Sequence, residues 1–196
     1  AAGQALMAPP DRREGPARFS IARLRPAAGL LLLVPRNHEA HVVLTVRAHA
    51  LDRHGGQVSL PGGVIEPDET PEQAALREAH EEIGVRSSSV RILGALTPID
   101  ILFSGFRLHP IVGVTDVRPD FRPASDEVAR VLEVPLVDLL NPKHIAWRST
   151  TRDGHALEFP AFAHEDTEIW GATAMVLAEF LRLLGWAGPN ALGPRT

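Results

Sequence analysis

The stretch from Thr70 to Gly84 constrains this chain more than any other, because its residue types mark both ends of one helix. Thr70 is a good N-cap, Pro71 suits a first helical position where no N–H is needed, and Gln73 stands where a capping box returns its side chain. Gly84 stands where a left-handed residue closes a helix. At about 100° per residue, Leu76, Ala79 and Ile83 share one face. Glu78, Glu81 and Glu82 fall at i, i+3 and i+4 and make a second, acidic face.

A run of carboxylates is ordinarily a solvated helix face. Here the spacing costs an isolated helix roughly a few tenths of a kcal/mol per pair. The cluster also lies at the C-terminal end, where the helix dipole disfavours negative charge, and Arg77 is the one cation inside the run. An arrangement that weakens the helix is explained if a divalent cation sits on it. Oxygen ligands in a chain without cysteine point to Mg²⁺ or Mn²⁺ rather than zinc.

Gly63, Glu69 six residues on, Arg77-Glu78, Glu81-Glu82 and Gly84 together resemble the Nudix box at every fixed position, with Ala79 as a small residue in its apolar slot. The resemblance implies a pyrophosphate hydrolase, whose metal ions neutralise the pyrophosphate, activate water and orient the leaving phosphate. It implies Glu78 and Glu82 as metal ligands, Glu81 as a ligand or as the base that takes a proton from water, and Glu69 in the metal shell or orienting its water. The carbonyl of Gly62 becomes a further ligand, and Arg77 holds the glutamates by ion pairing. Glu66 and His80 read as bystanders. Glu127 reads as a strand-edge carboxylate, although some Nudix enzymes borrow such a group from a distant loop.

Upstream, Leu44-Thr45-Val46-Arg47 and then Arg53-His54-Gly55-Gly56-Gln57-Val58-Ser59-Leu60-Pro61-Gly62-Gly63 resemble the additional signature of the coenzyme A pyrophosphatase branch. Leu60 replaces that signature's Phe, and Asp52 holds the place of its spacer cation, with Arg53 one residue on. Asp126-Glu127-Val128, Val134-Pro135-Leu136 and Ile169 to Met175 also look like that branch, so the likeness spans roughly residues 30 to 185. It implies hydrolysis of coenzyme A, or of its acyl or oxidised forms. The 3′-phosphate of that substrate asks for cations and backbone N–H groups. Arg47 and Arg53 would supply the first, and the Gly55-Gly56 turn beside Gln57 the second. The plainer reading of Arg47 is a strand residue reaching into water. Two alternatives stand beside this one: a Nudix hydrolase of another nucleoside diphosphate derivative, such as ADP-ribose or a dinucleotide, and a non-catalytic Nudix-fold module that binds a nucleotide. The intact box glutamates speak against the second.

The rest of the chain reads as a mixed α/β protein. Strands are expected at Gly29 to Pro35, His41 to Ala48, Val58 to Leu60, Val90 to Leu96, Phe106 to Val114 and Asp126 to Val134. Thr97 to Gly105 reads as a loop at the site's rim, Pro135 to Leu140 as a short helix, and a first element is expected near Phe19 to Leu24. Ala146 to Arg152 and His155 to Phe162 flank Asp153-Gly154 as a hairpin. Glu168 to Leu184 reads as a second long helix, with Ile169, Ala172, Val176, Phe180, Leu183 and Leu184 on its apolar side. Mixed strands with two long helices indicate an α/β sandwich, and the resemblance implies the Nudix α/β/α arrangement with a mixed sheet. The expected organisation is a flexible arm over 1–17, one domain over 18–187 and a flexible tail over 188–196. A net charge of −4 recommends a small-molecule substrate and no nucleic acid. The positive charge is almost all arginine, with Lys143 the only lysine, and arginine suits bidentate grip on phosphate. No run reaches the roughly 18 apolar residues of a membrane span, and 1–16 lack the apolar core of a secretory signal, so a cytoplasmic protein without a membrane is expected. The apolar last helix and the Phe159 to Phe162 strand offer surface for a homodimer.

Overall fold

Leu30 to Val34 is an unbroken apolar run, and such a run is satisfied by a strand covered on both faces. In the computed structural model, which describes residues 1–9, 24–48, 56–102, 104–124, 126–152 and 155–189, it forms the buried middle of β1 (Arg25–Arg36). The chain divides into two compact units, residues 18–136 and residues 1–17 together with 137–196.

In the first unit β1 is followed by β2 (Glu39–Arg47), β3 (Val58–Ser59), β4 (Gly62–Val64), β5 (Arg91–Ala95), β6 (Ile99–Ile101), β7 (Phe106–Val114) and β8 (Val128–Pro135). These eight strands form one mixed sheet in the order β3-β2-β1-β7-β5, with β4 beside β1, β6 beside β7 and β8 beside β2. The β1–β7 pair is parallel and the other pairs are antiparallel. Asn37 and His38, at φ 52° and 65°, make the tight β1–β2 turn that matches strand twist. The long helix of this unit, α2 (Pro71–Ile83), sets Ala74, Ala75, Ala79 and Ile83 on Ala28, Leu30, Leu32 and Val34, every second residue of β1. Val43, Ile111 and Val128 complete that core. Alanines at the contact let helix and sheet approach closely, while Leu76 packs at the edge.

Two segments for which no strand is expected, the second read as a loop, contain strands. Gly62–Val64 pairs with Ala27–Gly29, and Thr97 to Gly105 contains β6, tied to β7 by Arg107, whose Nε and Nη2 donate to Asp100 at 2.6 and 2.9 Å.

The second unit holds α1 (Ala2–Ala5), α3 (Leu136–Leu140, which begins at the boundary), β9 (Ile145–Arg152), β10 (His155–His164), β11 (Thr167–Ile169) and α4 (Gly171–Leu183). The expected arm is helical at α1, where Gln4 donates to Glu179 at 2.7 Å and Met7 is fully buried. The last helix starts later than expected, because Trp170 is extended and Gly171 has φ 65°, so Thr167–Ile169 pairs with β10 as β11. Leu183 and Leu184, expected on its buried side, are 72% and 49% exposed. Phe159 and Phe162, expected as dimer surface, are buried, the latter with its ring 5.4 Å from that of Trp186. The expected element near 19–24, the Asp153-Gly154 turn and most of the tail lie outside the described residues. Among the described residues no helix is long and apolar enough to cross a membrane. The fold is mixed α/β with one large mixed sheet and helices, as the patterning indicates.

Candidate active site

The acidic helix is anchored at both ends. Thr70 Oγ1 accepts from the Gln73 N–H at 3.3 Å, and Gln73 Oε1 accepts from the Thr70 N–H at 2.8 Å. Gly84 takes φ 74° and donates to the His80 carbonyl at 2.9 Å. The carbonyls of Glu82 and Ile83, orphaned by the helix end, accept from the N–H groups of Ala124 and Arg122 at 2.8 and 2.9 Å. The segment before β8 therefore docks on the helix end that carries the carboxylates.

Arg77 is the hub of this cluster. Its Nε and Nη2 fork onto Glu69 at 2.8 and 3.0 Å, its Nη1 donates to Glu78 at 2.9 Å and Glu81 at 3.0 Å, and Nη2 also donates to the Val64 carbonyl at 3.0 Å. The five guanidinium N–H donors thus meet three carboxylates and one backbone carbonyl. Both Glu69 oxygens are engaged, Oε2 also accepting from the Glu66 N–H at 3.0 Å. The Arg77 bonds, then that N–H, hold Glu69 below the usual carboxylate range. Glu69, expected in the metal shell or orienting its water, has both oxygens bonded to Arg77 here.

Glu82 has the opposite environment. It is 5% exposed, and its Oε2 accepts from the Gly62 N–H at 3.1 Å. Burial pushes its carboxyl up to about 7; the Gly62 N–H and the charge of Arg47 pull it down, while the charges of Glu78 and Glu127 push it further up. Glu78 is also raised, chiefly by burial, against the pull of Arg77 and with the repulsion of Glu81 and Glu127. Glu81 is the exposed member, at 55% of its side chain. Glu127, read from sequence as an edge carboxylate, therefore acts electrostatically on both Glu78 and Glu82. His80 is exposed.

The glycines before the helix are required by close approach. A side chain on Gly63 would overlap the Glu78 carboxylate, and one on Gly62 would run into the β1 backbone at Ala28 and Gly29. Beside the Gly62 carbonyl, expected as a ligand, the Gly62 N–H holds Glu82.

The donor set suits a divalent cation. Glu78, Glu81 and Glu82 each keep one carboxylate oxygen without a hydrogen-bond partner among the described residues. Burial and mutual repulsion raise Glu78 and Glu82, and a cation relieves both. Among the described residues no three such side chains already converge on one point, because Arg77 draws Glu78 and Glu81 to itself.

On the substrate side, Arg47 is half-buried at the end of β2, where the register with β8 shifts between Val46 and Arg47. Its N–H donates to the Gln57 carbonyl at 3.0 Å, and the Gly56 N–H donates to the Arg47 carbonyl at 2.9 Å. That donor of Gly56, expected to face a phosphate, is engaged within the sheet. Arg53 and Gly55 lie outside the described residues. One polar contact not expected from sequence joins Thr45 Oγ1 and Ser59 Oγ at 3.1 Å; the alternation of Gln57 and Ser59 with Val58 and Leu60 is the sequence signal for it.

The comparisons with known proteins agree in kind. A family model described as NUDIX domain matches residues 23–153. A relative from Salmonella paratyphi B, named "Uncharacterized Nudix hydrolase NudL", is 34% identical over 159 residues, covering 81% of this chain and 82% of its own. The same figures hold for its Salmonella newport counterpart. Among solved structures, a Nudix hydrolase from M. smegmatis, RenU, matches with TM-score 0.59 at 22% identity over 97% of this chain and 96% of that one. A MutT protein from Methanosarcina mazei Go1 matches with TM-score 0.56 at 17% identity over 85% and 99%.

Proposed function

The chain belongs to the Nudix hydrolase family, and from that premise we propose that it cleaves the pyrophosphate of coenzyme A, or of an acyl or oxidised form, to 4′-phosphopantetheine and adenosine 3′,5′-bisphosphate. The observation that carries the substrate is Arg47. It belongs to the upstream signature, it is half-buried rather than waving in water, and its charge is felt at Glu82. A cation held there serves a substrate with a phosphate beyond its pyrophosphate.

When bound, a Mg²⁺ or Mn²⁺ ion would offset the charge of the pyrophosphate and activate the attacking water. Glu78 and Glu82 would hold it through the oxygens that keep no hydrogen bond among the described residues, with Glu82 kept in place by the Gly62 N–H. Glu81, the exposed carboxylate of the three, would take the proton from water as the water oxygen joins phosphorus and the bridging P–O bond breaks. Glu69 orients Arg77, and Arg77 sets the spacing of Glu78 and Glu81.

The test is hydrolysis of coenzyme A, dephospho-coenzyme A and ADP-ribose with Mg²⁺, with Mn²⁺ and with EDTA. Metal-dependent cleavage of coenzyme A, at least about tenfold better than of the two lacking the 3′-phosphate, is expected from one lost charge-assisted contact. Equal cleavage of ADP-ribose would remove coenzyme A and leave a hydrolase of another nucleoside diphosphate derivative. Nucleotide binding without turnover would leave the non-catalytic module.

A further inference from the structure

Glu133 is a charge where the fold calls for an apolar residue. It is the register partner of Val43 on β2, and Val43 lies in the core under α2. Residues opposite one another on paired strands share a face, so Glu133 lies on the side that α2 covers. Its side chain is 8% exposed. A buried carboxylate costs stability unless it is paired, and two arginines pair this one. Arg36 donates to Oε1 at 3.3 Å. Arg118 forks onto both oxygens, Nε to Oε2 at 2.7 Å and Nη2 to Oε1 at 2.6 Å. The Arg118 bonds outweigh burial and hold the carboxyl below its usual range, with a smaller pull from the charge of Arg36.

Arg118 belongs to the connection between β7 and β8, where residues 115–124 form neither helix nor strand and are mostly exposed. Beneath the Arg118 guanidinium, 5.4 Å from it, is the ring of Phe121, which packs on the core under α2. Directly after it come the Arg122 and Ala124 N–H groups that donate to the carbonyls of Ile83 and Glu82. The Ala124 carbonyl then accepts from the N–H groups of Glu127 and Val128 at 3.1 and 2.7 Å. Glu82 is thus held twice, its side chain by the Gly62 N–H and its backbone by the Ala124 N–H. Helix ends fray, and the last turn of α2 carries both Glu81 and Glu82. We propose that Glu133 and Arg118 are positioning residues for the metal site: their fork fixes the segment that holds the backbone of Glu82, and with it the place of the Glu82 carboxylate. Arg36 bonds the same carboxylate from β1, outside that segment, and serves the fold alone. This rests on the reading of Glu82 as a group that holds the metal, and not on coenzyme A being the substrate.

The test is titration of the metal-free protein with Mn²⁺, read from the EPR signal of the free ion. The proteins are wild type, Glu82→Gln, Arg118→Ala, Arg118→Lys, Glu133→Gln and Arg36→Ala, each shown to be folded by its urea melt. Turnover of whichever pyrophosphate compound the wild type cleaves best, at subsaturating Mn²⁺, is the second readout. Arg118→Ala and Glu133→Gln should weaken Mn²⁺ binding by about tenfold, the low end for groups that orient metal-holding side chains. The loss of activity should fall on kcat, with KM for the substrate nearly unchanged. Arg118→Lys keeps the charge but not the fork, so it should fold as wild type does and lose several-fold in Mn²⁺ binding. Arg36→Ala should lower the urea midpoint and leave Mn²⁺ binding as in wild type. Arg118→Ala and Glu133→Gln variants that bind Mn²⁺ as wild type does overturn the inference. An equal loss of binding in Arg36→Ala also overturns it, since lost stability would then be the cause. Wild-type Mn²⁺ binding in Glu82→Gln would instead remove the reading of the site, and the inference with it.

Discussion

The two long helices, α2 and α4, are both of 13 residues and are held in different ways. α4 buries Thr173 through Ala178 together with Phe180 and Leu181, and no side chain caps its start. α2 buries only Ala74, Ala75, Ala79, Glu82 and Ile83, and relies on a reciprocal capping box, a left-handed glycine and a docked backbone segment at its end. A helix wrapped in apolar contacts needs little else. One whose buried positions include a carboxylate has given up packing for chemistry, and its termini must be secured locally. The contrast predicts that substitutions in α2 separate activity from stability, while those in α4 change stability alone.

The sharpest break of that contrast is Glu82→Gln. Removing a carboxylate that we propose holds the metal should lower kcat/KM by about 10²-fold or more, while the apo protein becomes more stable near neutral pH. With its folded-state pKa raised to about 7 against about 4.3 unfolded, the folded chain binds more protons than the unfolded chain between those values. Glu82 therefore contributes stability below pH ~4.3 that is lost as pH rises through about 7, on the order of 3 kcal/mol. Urea melts at pH 5 and pH 8 in EDTA should show a shallower loss with pH in the glutamine variant. Equal slopes would mean that Glu82 is not the strained group. Saturating Mg²⁺ should flatten the wild-type slope, because an ion bound to the ionised carboxylates favours the folded state.

Arg77→Lys comes next. A lysine offers three donors from one point, where Arg77 fans five over Glu69, Glu78, Glu81 and the Val64 carbonyl. Activity should fall about tenfold or more although the charge is kept. Near-wild-type kcat in the lysine variant would show that charge alone spaces the glutamates. Within α4, Leu177→Ala should cost about 2–5 kcal/mol as a core truncation, read from the urea midpoint, with kcat unchanged under conditions where the variant is folded. A comparable fall in kcat would end the division of labour between the helices.

What was legible in the sequence follows the same division. The limits, caps and acidic face of α2 could be read because they depend on neighbours in sequence: Thr70 with Gln73, Gly84 after Ile83, glutamates one turn apart. The face of α4 was legible at Val176 and Phe180, both buried, but not at its end, where Leu183 and Leu184 are exposed, since a helix buried around most of its girth carries little periodicity. β4 carried no strand signal because Gly62-Gly63 has no strand propensity; it is a strand because the backbone lies against Ala28 and Gly29 while leaving room for Glu78. Arg77 as the partner of the glutamates was legible, but the commitment of both Glu69 oxygens to it was not, because it depends on the turn that brings the Glu66 N–H to Glu69. The electrostatic reach of Glu127 and the pairing of Thr45 with Ser59 depend on strands distant in sequence, and only register reveals them.

The smallest expected effect tests whether local anchoring of α2 matters to the site. Thr70→Ala removes the acceptor for the Gln73 N–H and should cost about 1 kcal/mol. The Thr70 N–H keeps its bond to the Gln73 side chain, so half of the capping box remains. The first turn lies far along the helix from Glu78 and Glu82, whose positions are fixed by Arg77 and the Gly62 N–H. Stability should therefore drop with kcat held within about twofold. If kcat falls with stability, the cap positions the carboxylates and α2 acts as one rigid lever; if only the urea midpoint moves, the site is set by its own hydrogen bonds, and the cap serves the fold as the apolar contacts of α4 do.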